Sequence, residues 1–187
     1  MHRTFAASLL VLASAIPASS GSIEEKAQLC ASCHGEKGIP QDNATPIIWG
    51  QNEGYLYLQL RDYRKGARKH ELMSAVAADI ERDEALALAE YFSKLDWPDL
   101  QQPAAPADVA RLAVRVNASI GCTGCHLDRF QGDGSTARLA GQQHDYLART
   151  ALAFRDRSRG NNPGMSDLMN AASEDELEAM AAYLAGL

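Results

Sequence analysis

Cys30-Ala31-Ser32-Cys33-His34 and Cys122-Thr123-Gly124-Cys125-His126 are the two stretches that decide how this chain folds. Each is a C-x-x-C-H motif, and together they use all 4 cysteines of the 187-residue chain. Two thiols three positions apart lie on the same side of one helical turn, where they can form thioether bonds to the two vinyl groups on one porphyrin edge. The next residue, a histidine, is then placed to bind the iron. The motifs predict two covalently attached haem c groups. Their attachment points are Cys30, Cys33, Cys122 and Cys125, and their iron ligands are His34 and His126.

Two other chemistries also use paired cysteines. Four cysteines could form a zinc site, but that site would leave both adjacent histidines unexplained. A thioredoxin-like redox pair requires a βαβ setting, and the residues flanking the motifs lack the alternating pattern of strands. Covalent haem is therefore the favoured interpretation.

The chain repeats itself once. Cys30, His34, Met73 and Tyr91 recur 92 positions later, and Gly50-Gln51 and Tyr55-Leu56 recur 91 positions later. A repeat of this length predicts two copies of one module, in residues 21–96 and 108–187. Residues 97–107 between them are rich in proline, which cannot continue a helix, and are predicted to form a semi-rigid linker.

The pattern within each copy is helical. Apolar residues at spacings of three and four predict helices over 55–65 and 146–157, and helices over 24–32 and 108–122 lead into the motifs. A capping box, Ser173-Glu174-Asp175-Glu176, predicts a sharp start for the last helix. Glu81 occupies the equivalent place in the first copy and is not expected to cap. No segment predicts a strand, so the expected fold class is all-α with two tandem haem-binding domains.

A sixth iron ligand is needed if each haem is to exchange electrons without binding small molecules. Met73 and Met165 are the candidates, because each follows the histidine of its own motif by 39 positions. Met169 matches Ala77 of the first copy, so it breaks the repeat and is expected to pack at a helix start. His70 and His144 are competitors that would give a bis-histidine iron of lower potential, but they do not match each other under the repeat.

The N-terminus predicts export. His2 and Arg3 precede an apolar run from Phe5 to Ile16, and small residues follow at 18–22. This is the pattern of a signal peptide, assigned to residues 1–20. Retention as a membrane anchor is the alternative, but a run of about a dozen residues is shorter than the roughly 20 that a span needs. We expect a periplasmic protein with no stable membrane span in the mature chain.

Composition excludes several classes of protein. The chain is 46% hydrophobic and 22% charged, which excludes a disordered or multi-pass membrane protein. Its 18 basic against 24 acidic residues give a net charge of -6 and no basic field for phosphates, so nucleic acid is not an expected partner. Only 6% of the residues are aromatic. Two small domains would have thin cores unless the haem groups fill them.

These features together resemble the two-haem class I cytochromes of the cytochrome c4 type, over essentially the whole mature chain. The resemblance rests on both C-x-x-C-H motifs, a methionine in each half, the two G-Q-x-x-x-Y-L segments and the closing helices. It implies two cytochrome c folds that carry single electrons between redox proteins. The expected partners are a membrane cytochrome complex, a terminal oxidase or a flavoprotein dehydrogenase.

The resemblance also assigns a role to a proline five residues before the glutamine, whose carbonyl accepts a hydrogen bond from the iron-binding histidine. Pro46 fits this role, whereas Ala137 in the second copy leaves the bond in doubt, with the backbone of Arg138 or Leu139 as replacements. We therefore predict unequal haem potentials. Tyr55, Tyr57, Arg64 and Arg68 are candidate contacts to a haem edge or its propionates, although a solvated helix face explains the arginines equally well.

Two alternatives remain for the function. Similar chains serve as the electron-accepting diheme subunit of periplasmic dehydrogenases such as flavocytochrome c sulfide dehydrogenase, and the haem modules alone do not separate that role from a free carrier. A diheme peroxidase would need an iron with an open position and acid-base groups beside it. The matched methionines and the short chain disfavour that enzyme, so no catalytic residues are expected.

Overall fold

The computed structural model describes residues 22–187. The signal peptide predicted for residues 1–20 lies outside this range. Nine helices occur within it: α1 (Ile23–His34), α2 (Glu53–Arg64), α3 (Glu71–Ala78), α4 (Arg82–Ser93), α5 (Ala107–Ile120), α6 (Thr123–His126), α7 (His144–Arg155), α8 (Pro163–Asn170) and α9 (Glu174–Ala185). Residues 22–187 contain no β-strand, which confirms the all-α class. None of these helices is long and apolar enough to cross a bilayer.

The two halves pack their helices in the same way. In the first half α1 and α2 pack on α4, and α2 also packs on α3. In the second half α5 and α7 pack on α9, and α7 packs on α8. Each equivalent pair of helices is therefore in contact in both halves, as the repeat predicts.

The helix that carries the haem motif differs between the halves. α1 continues through Cys30 and Cys33 to His34, whereas α5 ends at Ile120 because Gly121 adopts a left-handed conformation with φ 75°. The short helix α6 then carries the second motif. The predicted helix over 108–122 was therefore too long by two residues. A glycine immediately after a helix is a common terminator.

The closing helices begin as predicted. The Ser173 side chain accepts from the Glu176 backbone N–H, and the Glu176 side chain accepts from the Ser173 N–H, which confirms the capping box of α9. Glu81 makes no such bond at the start of α4. A second capping box, between Ser22 and Glu25, begins α1 and was not predicted.

Separate apolar cores form in the two halves. The first core joins α1, α2 and α4 through Ala27, Leu56, Ile80, Ala85, Leu88, Ala89 and Phe92. The second joins α5, α7 and α9 through Ala113, Val116, Phe130, Ala140, Leu147, Met180, Ala181, Leu184 and Ala185. A smaller cluster of Phe154, Met169, Ala172 and Leu177 lies beneath α8. Alanine is frequent in the two larger cores, so these cores are small, as the low aromatic content predicts.

The segment between the halves lies against both of them. A Cβ on Gly50 would approach the Trp97 backbone nitrogen to 2.8 Å, and one on Gly141 would approach the Trp97 ring nitrogen to 3.1 Å. The guanidinium of Arg138 stacks 4.3 Å from the centre of the Trp97 ring. Gln102 donates to the carbonyls of Gln142 (3.0 Å) and Ala185 (3.2 Å). The sequence analysis assigned no role to Trp97. Its contacts with Gly50, Gly141 and Arg138 show that it packs this segment against both halves.

Candidate haem sites

The two motif histidines are held in the same way. The Nδ1 of His34 lies 2.8 Å from the Pro46 carbonyl oxygen, and the Nδ1 of His126 lies 2.8 Å from the Ala137 carbonyl oxygen. A carbonyl only accepts, so Nδ1 carries the proton in both rings. The doubt about Ala137 was therefore wrong. The bond uses a backbone carbonyl, which alanine supplies as well as proline does.

The protonation of the rings follows from their burial. His34 and His126 are only 6% and 8% exposed. Burial lowers the pKa of both, and the hydrogen bonds to the Pro46 and Ala137 carbonyls offset this only in part. Each imidazole is therefore neutral at pH 7. Within residues 22–187 no hydrogen bond engages either Nε2, which leaves its lone pair for a metal.

The cysteines are available for thioether bonds. All four are free thiols, with Cys30 and Cys122 partly buried and Cys33 and Cys125 exposed. Burial raises the pKa of Cys30 to about 11 and raises that of Cys122 in the same direction. The thiols of Cys30 and Cys122 are therefore protonated at neutral pH. In each motif one thiol faces the interior and the other faces solvent.

The two methionines occupy matching positions at the starts of matching helices. Met73 is the third residue of α3, and its backbone N–H donates to Nδ1 of His70 at 3.3 Å. Met165 is the third residue of α8, and its N–H donates to the side-chain oxygen of Asn162 at 3.2 Å. Both methionines are partly buried. Under the repeat His70 therefore corresponds to Asn162, and both residues act as helix caps.

The other candidate ligands have different environments. Met169 is 8% exposed and packs in the small apolar cluster, but it lies near the end of α8 rather than at a helix start. His144 lies at the start of α7, where Nδ1 contacts Asp145 and Nε2 contacts Glu178, both at 2.9 Å. Both ring nitrogens of His144 are thus engaged by carboxylates. This environment does not favour His144 as an iron ligand.

A buried group of tyrosines and arginines lies where the halves meet. Arg68 donates to the Tyr146 hydroxyl at 3.0 Å, and Arg159 donates to the Tyr55 hydroxyl at 3.3 Å. Burial by itself raises the pKa of Tyr146, but the charges of Arg68 and Arg159 outweigh it and lower the pKa to about 7. Arg68 is only 8% exposed, so the solvated-face interpretation was wrong for this residue. Arg64, by contrast, pairs with Glu81 at the surface.

The side chains around the two motifs fit two haem c groups. Nε1 of Trp49, Nε1 of Trp97 and Nη1 of Arg159 are buried and make no hydrogen bond within residues 22–187. Buried donors without acceptors suit a group that brings carboxylates, as haem does through its propionates. The same chain offers two free thiols, a neutral imidazole and a thioether in each half. That donor set is the one that haem c requires.

Comparison with known proteins agrees with this chemistry. The chain is 32% identical over 172 residues to a cytochrome c4 of Thiocapsa roseopersicina, covering 85% of this chain and 87% of that relative. The chain belongs to the cytochrome c4 family. It is also 34% identical over 197 residues to a thiosulfate dehydrogenase electron acceptor of Thiomonas intermedia (strain K12), covering 99% of this chain and 91% of the relative. A scan against protein-family models finds no match.

A solved structure supports the same assignment. Reduced recombinant cytochrome c4 from Pseudomonas stutzeri superposes with a TM-score of 0.78 at 25% identity, covering 88% of this chain and 96% of that one. Membership of the cytochrome c4 family means that the chain is a two-domain, all-α diheme cytochrome with two haem c groups. Its relatives are cytochromes and electron acceptors, so it transfers electrons and is not an enzyme by itself.

Two buried glutamines have a role that the sequence analysis missed. Gln51 and Gln142 are 3% and 2% exposed, and each bonds to the backbone of the opposite half. Their 91-position spacing was visible in the sequence, but their contacts were not. The same spacing relates Arg68 to Arg159, which was a signal that these arginines belong to the repeat rather than to a variable surface.

Proposed function

We propose that Cys30, Cys33, His34 and Met73 hold one haem and that Cys122, Cys125, His126 and Met165 hold the other. The first set belongs to a domain over residues 21–96 and the second to a domain over 108–187, with 97–107 as the linker. The observation that carries this assignment is that the same geometry occurs in both halves. Both histidines bond through Nδ1 to a carbonyl, and both methionines stand at the third position of a capped helix.

The chain's own residues would do two things in this assignment. The Pro46 and Ala137 carbonyls keep the proton on Nδ1, so that each histidine presents Nε2. The caps of α3 and α8 hold the backbone N–H groups of Met73 and Met165, so that both residues stay at the start of their helices. When bound, each haem supplies a one-electron couple whose potential a methionine ligand raises.

The ligand assignment is tested by removing the methionine ligand of one haem at a time. We expect the wild-type protein to resist carbon monoxide and cyanide, Met73→Ala to bind either ligand quickly at one haem, and Met165→Ala to do so at the other. Met169→Ala is the matched control, because it truncates a methionine of the same helix α8 that packs in the small apolar cluster, and it should leave both irons closed to the two ligands. Rapid binding by the wild type, or slow binding by both Met73→Ala and Met165→Ala, contradicts the assignment.

We further propose that the protein is exported by its N-terminal segment and works in the periplasm. There it accepts single electrons from one redox protein and passes them to another in a respiratory chain, with a membrane cytochrome complex or a terminal oxidase as acceptor. The basic and apolar N-terminal residues support export. N-terminal sequencing of the protein from its source is the test, and retention of the first residues would overturn cleavage.

A second candidate is a dedicated electron acceptor for one dehydrogenase. The 34% identity to the thiosulfate dehydrogenase electron acceptor, over 99% of this chain, favours thiosulfate as that dehydrogenase's substrate. This observation points away from the flavoprotein partner considered from the sequence. The haem geometry is the same for either role, so the partner has to be identified in the native particle.

The deciding experiment is the native mass of the haem-containing particle, gently extracted from the periplasm. A particle of about the mass of one chain, 20.2 kDa before export, indicates a diffusing carrier. A larger particle that reduces its haems when thiosulfate is added indicates a thiosulfate dehydrogenase subunit. Bound flavin in such a particle would restore the flavoprotein alternative.

A further inference from the structure

Each of the two histidines is linked through a single peptide unit to a glutamine of the opposite half. The peptide between Pro46 and Ile47 accepts from His34 at its carbonyl, and its N–H donates to Oε1 of Gln142 at 2.8 Å. The peptide between Ala137 and Arg138 accepts from His126, and its N–H donates to Oε1 of Gln51 at 2.7 Å. The connection therefore crosses between the halves in both directions.

Both glutamines bind their peptide segments at two points. Nε2 of Gln142 donates to the Ile47 carbonyl at 3.0 Å, and Nε2 of Gln51 donates to the Arg138 carbonyl at 2.9 Å. Each Oε1 also accepts a second bond, from the N–H of the next residue, Gln143 or Asn52, at 2.9 Å. Three hydrogen bonds therefore hold each side-chain amide in a buried place. The orientation of each amide is thus fully determined.

A peptide unit passes polarisation from its N–H to its carbonyl. When the N–H donates to a strong acceptor, electron density on the carbonyl oxygen rises, and that oxygen becomes a better acceptor for the histidine Nδ1–H. A stronger acceptor at Nδ1–H makes the ring more basic at Nε2. A more basic ligand stabilises ferric iron relative to ferrous iron and lowers the potential. The glutamine therefore acts on an iron of the opposite half without touching its ligand.

We propose that Gln142 and Gln51 are positioning residues that tune the potentials of the haems bound by His34 and His126 respectively, each from the opposite half. This proposal rests on the proposed assignment of those histidines as iron ligands. It has a consequence for the intact protein. A change in packing that breaks the bonds of Gln142 and Gln51 to the opposite half weakens the carbonyl acceptors of both histidines.

The test uses the haem-loaded full chain and the variants Gln142→Met and Gln51→Met, which keep side-chain length and remove the amide. NMR of the reduced protein with 15N-labelled histidine follows each Nδ1–H, and an NMR-monitored redox titration assigns each potential to its haem. We expect Gln142→Met to move the His34 Nδ1–H upfield and to raise the potential of that haem more than the other. Gln51→Met should do the same to His126 and its haem.

Gln102→Met is the matched control. It also removes a side-chain amide bonded to backbone carbonyls between 141 and 185, but Gln102 contacts neither of the two peptides that hold the histidines. It should leave both Nδ1–H resonances in place. If the control shifts them as much as Gln142→Met does, the glutamines act only by holding the halves together, and the proposal is overturned.

Further outcomes of these measurements are also decisive. If Gln142→Met shifts His126 rather than His34, or shifts neither while haem content and unfolding are unchanged, the crossed connection is wrong. If Gln142→Met fails to load haem, Gln142→Glu replaces it, because the carboxylate keeps the acceptor for the Ile47 N–H. That variant should keep the His34 Nδ1–H at or downfield of its wild-type position, and an upfield shift overturns the proposal. If the protons of His34 and His126 in the wild-type protein show no ring-current shift from a haem, the ligand assignment itself is refuted.

Discussion

Arg68 of the first half donates a 3.0 Å hydrogen bond to the hydroxyl of Tyr146 in the second half, and both side chains are buried. Arg68 is also held by Gln59 at 2.9 Å and stacks 4.6 Å from the centre of the Tyr63 ring. A buried guanidinium is stable only when its N–H groups have partners. The hydroxyl of Tyr146 is therefore one of the groups that join the halves.

Tyr146→Phe removes that hydroxyl and leaves one buried Arg68 N–H without its partner. We expect the free energy of unfolding to fall by about 1–3 kcal/mol, the usual cost of an unsatisfied buried donor. Tyr57→Phe is the control, since no hydrogen bond within residues 22–187 uses the Tyr57 hydroxyl, and it should change stability by less than about 0.5 kcal/mol. Denaturant unfolding of the haem-loaded proteins measures both. Equal effects of the two substitutions would show that Tyr146 contributes no specific bond.

Gly54 of α2 approaches the backbone of the other half closely. A Cβ at this position would lie 2.8 Å from the carbonyl oxygen of Gly134, and the neighbouring Tyr55 N–H donates to the same oxygen at 3.1 Å. Gly54→Ala should therefore lower the melting temperature, because overpacking costs about 1–3 kcal/mol. That loss exceeds the gain of about 1 kcal/mol that alanine brings to a helix.

Gly164→Ala is the matched control for this substitution. Gly164 is also helical, and the nearest atom to its added Cβ, Oδ1 of Asn162, lies at an ordinary 3.5 Å. This variant should be as stable as the wild type or more stable. A Gly54→Ala protein that gains stability in the same way would mean that the halves separate at this point.

Leu127 follows the second haem motif with φ 62° and ψ 168°, a conformation that only glycine adopts without strain. The equivalent residue of the first half is Gly35, with φ 89° and ψ 137°. Leu127→Gly should relieve about 1–3 kcal/mol of strain, less the 0.5–1 kcal/mol or so that glycine costs in backbone entropy. We expect the free energy of unfolding, measured by thermal unfolding, to rise by about 1 kcal/mol.

The reciprocal change should have the opposite effect. Gly35→Ala would drive a Cβ into the carbonyl of Ile39, so the protein should lose stability and haem content together. Haem content is measured from the absorbance of the reduced protein in alkaline pyridine, where the covalently attached haem stays on the chain. A Leu127→Gly protein less stable than the wild type would show that side-chain contacts of Leu127 outweigh its backbone strain.

Asp42 organises the turn that leads to Pro46. Its carboxylate accepts from the Thr45 hydroxyl at 2.8 Å and from the N–H groups of Ala44 and Thr45 at 2.8 and 2.9 Å. These bonds, the Thr45 hydroxyl first, lower the pKa of Asp42 below its ordinary value of 3.8. A carboxyl with a lowered folded pKa stabilises the protein above its unfolded pKa. That contribution is lost as the pH falls through the folded pKa.

Asp42→Asn should therefore be less stable than the wild type at pH 6, and the difference should shrink as the pH falls below about 4. Thermal unfolding of both proteins between pH 2 and pH 7, at constant ionic strength, provides the measurement. A difference in melting temperature that stays constant from pH 2 to pH 7 would mean that the Asp42 charge does not stabilise the turn.

Unequal potentials of the two haems remain a prediction. Because the two histidine hydrogen bonds are equal in length, the prediction now rests on the charges of the two halves alone. Residues 19–100 carry 9 basic and 14 acidic side chains, and residues 101–187 carry 8 and 10. The more negative first half stabilises ferric iron, so its haem should have the lower potential. A redox titration should show two components that converge at high salt. A single one-electron Nernst curve for both haems would refute this.

The sequence predicted the parts of this protein that are local. A C-x-x-C-H motif places its thiols and its histidine through the geometry of one helical turn, and a capping box begins a helix wherever it stands. The repeat extended this local information, because Met73 and Met165 could be paired by their common offset from a histidine. The all-α class and the two haem c groups followed from these features.

Sequence could not predict the partners of the equivalent residues across the contact between the halves. The repeat shows that Gln51 corresponds to Gln142 and Arg68 to Arg159, but not which atoms they meet. A hydrogen bond requires particular distances and angles, and those depend on how two separately folded halves pack. The tertiary structure alone decided that Ala137 serves as well as Pro46, that Arg68 is buried against Tyr146, and that each glutamine reaches the peptide of the opposite histidine.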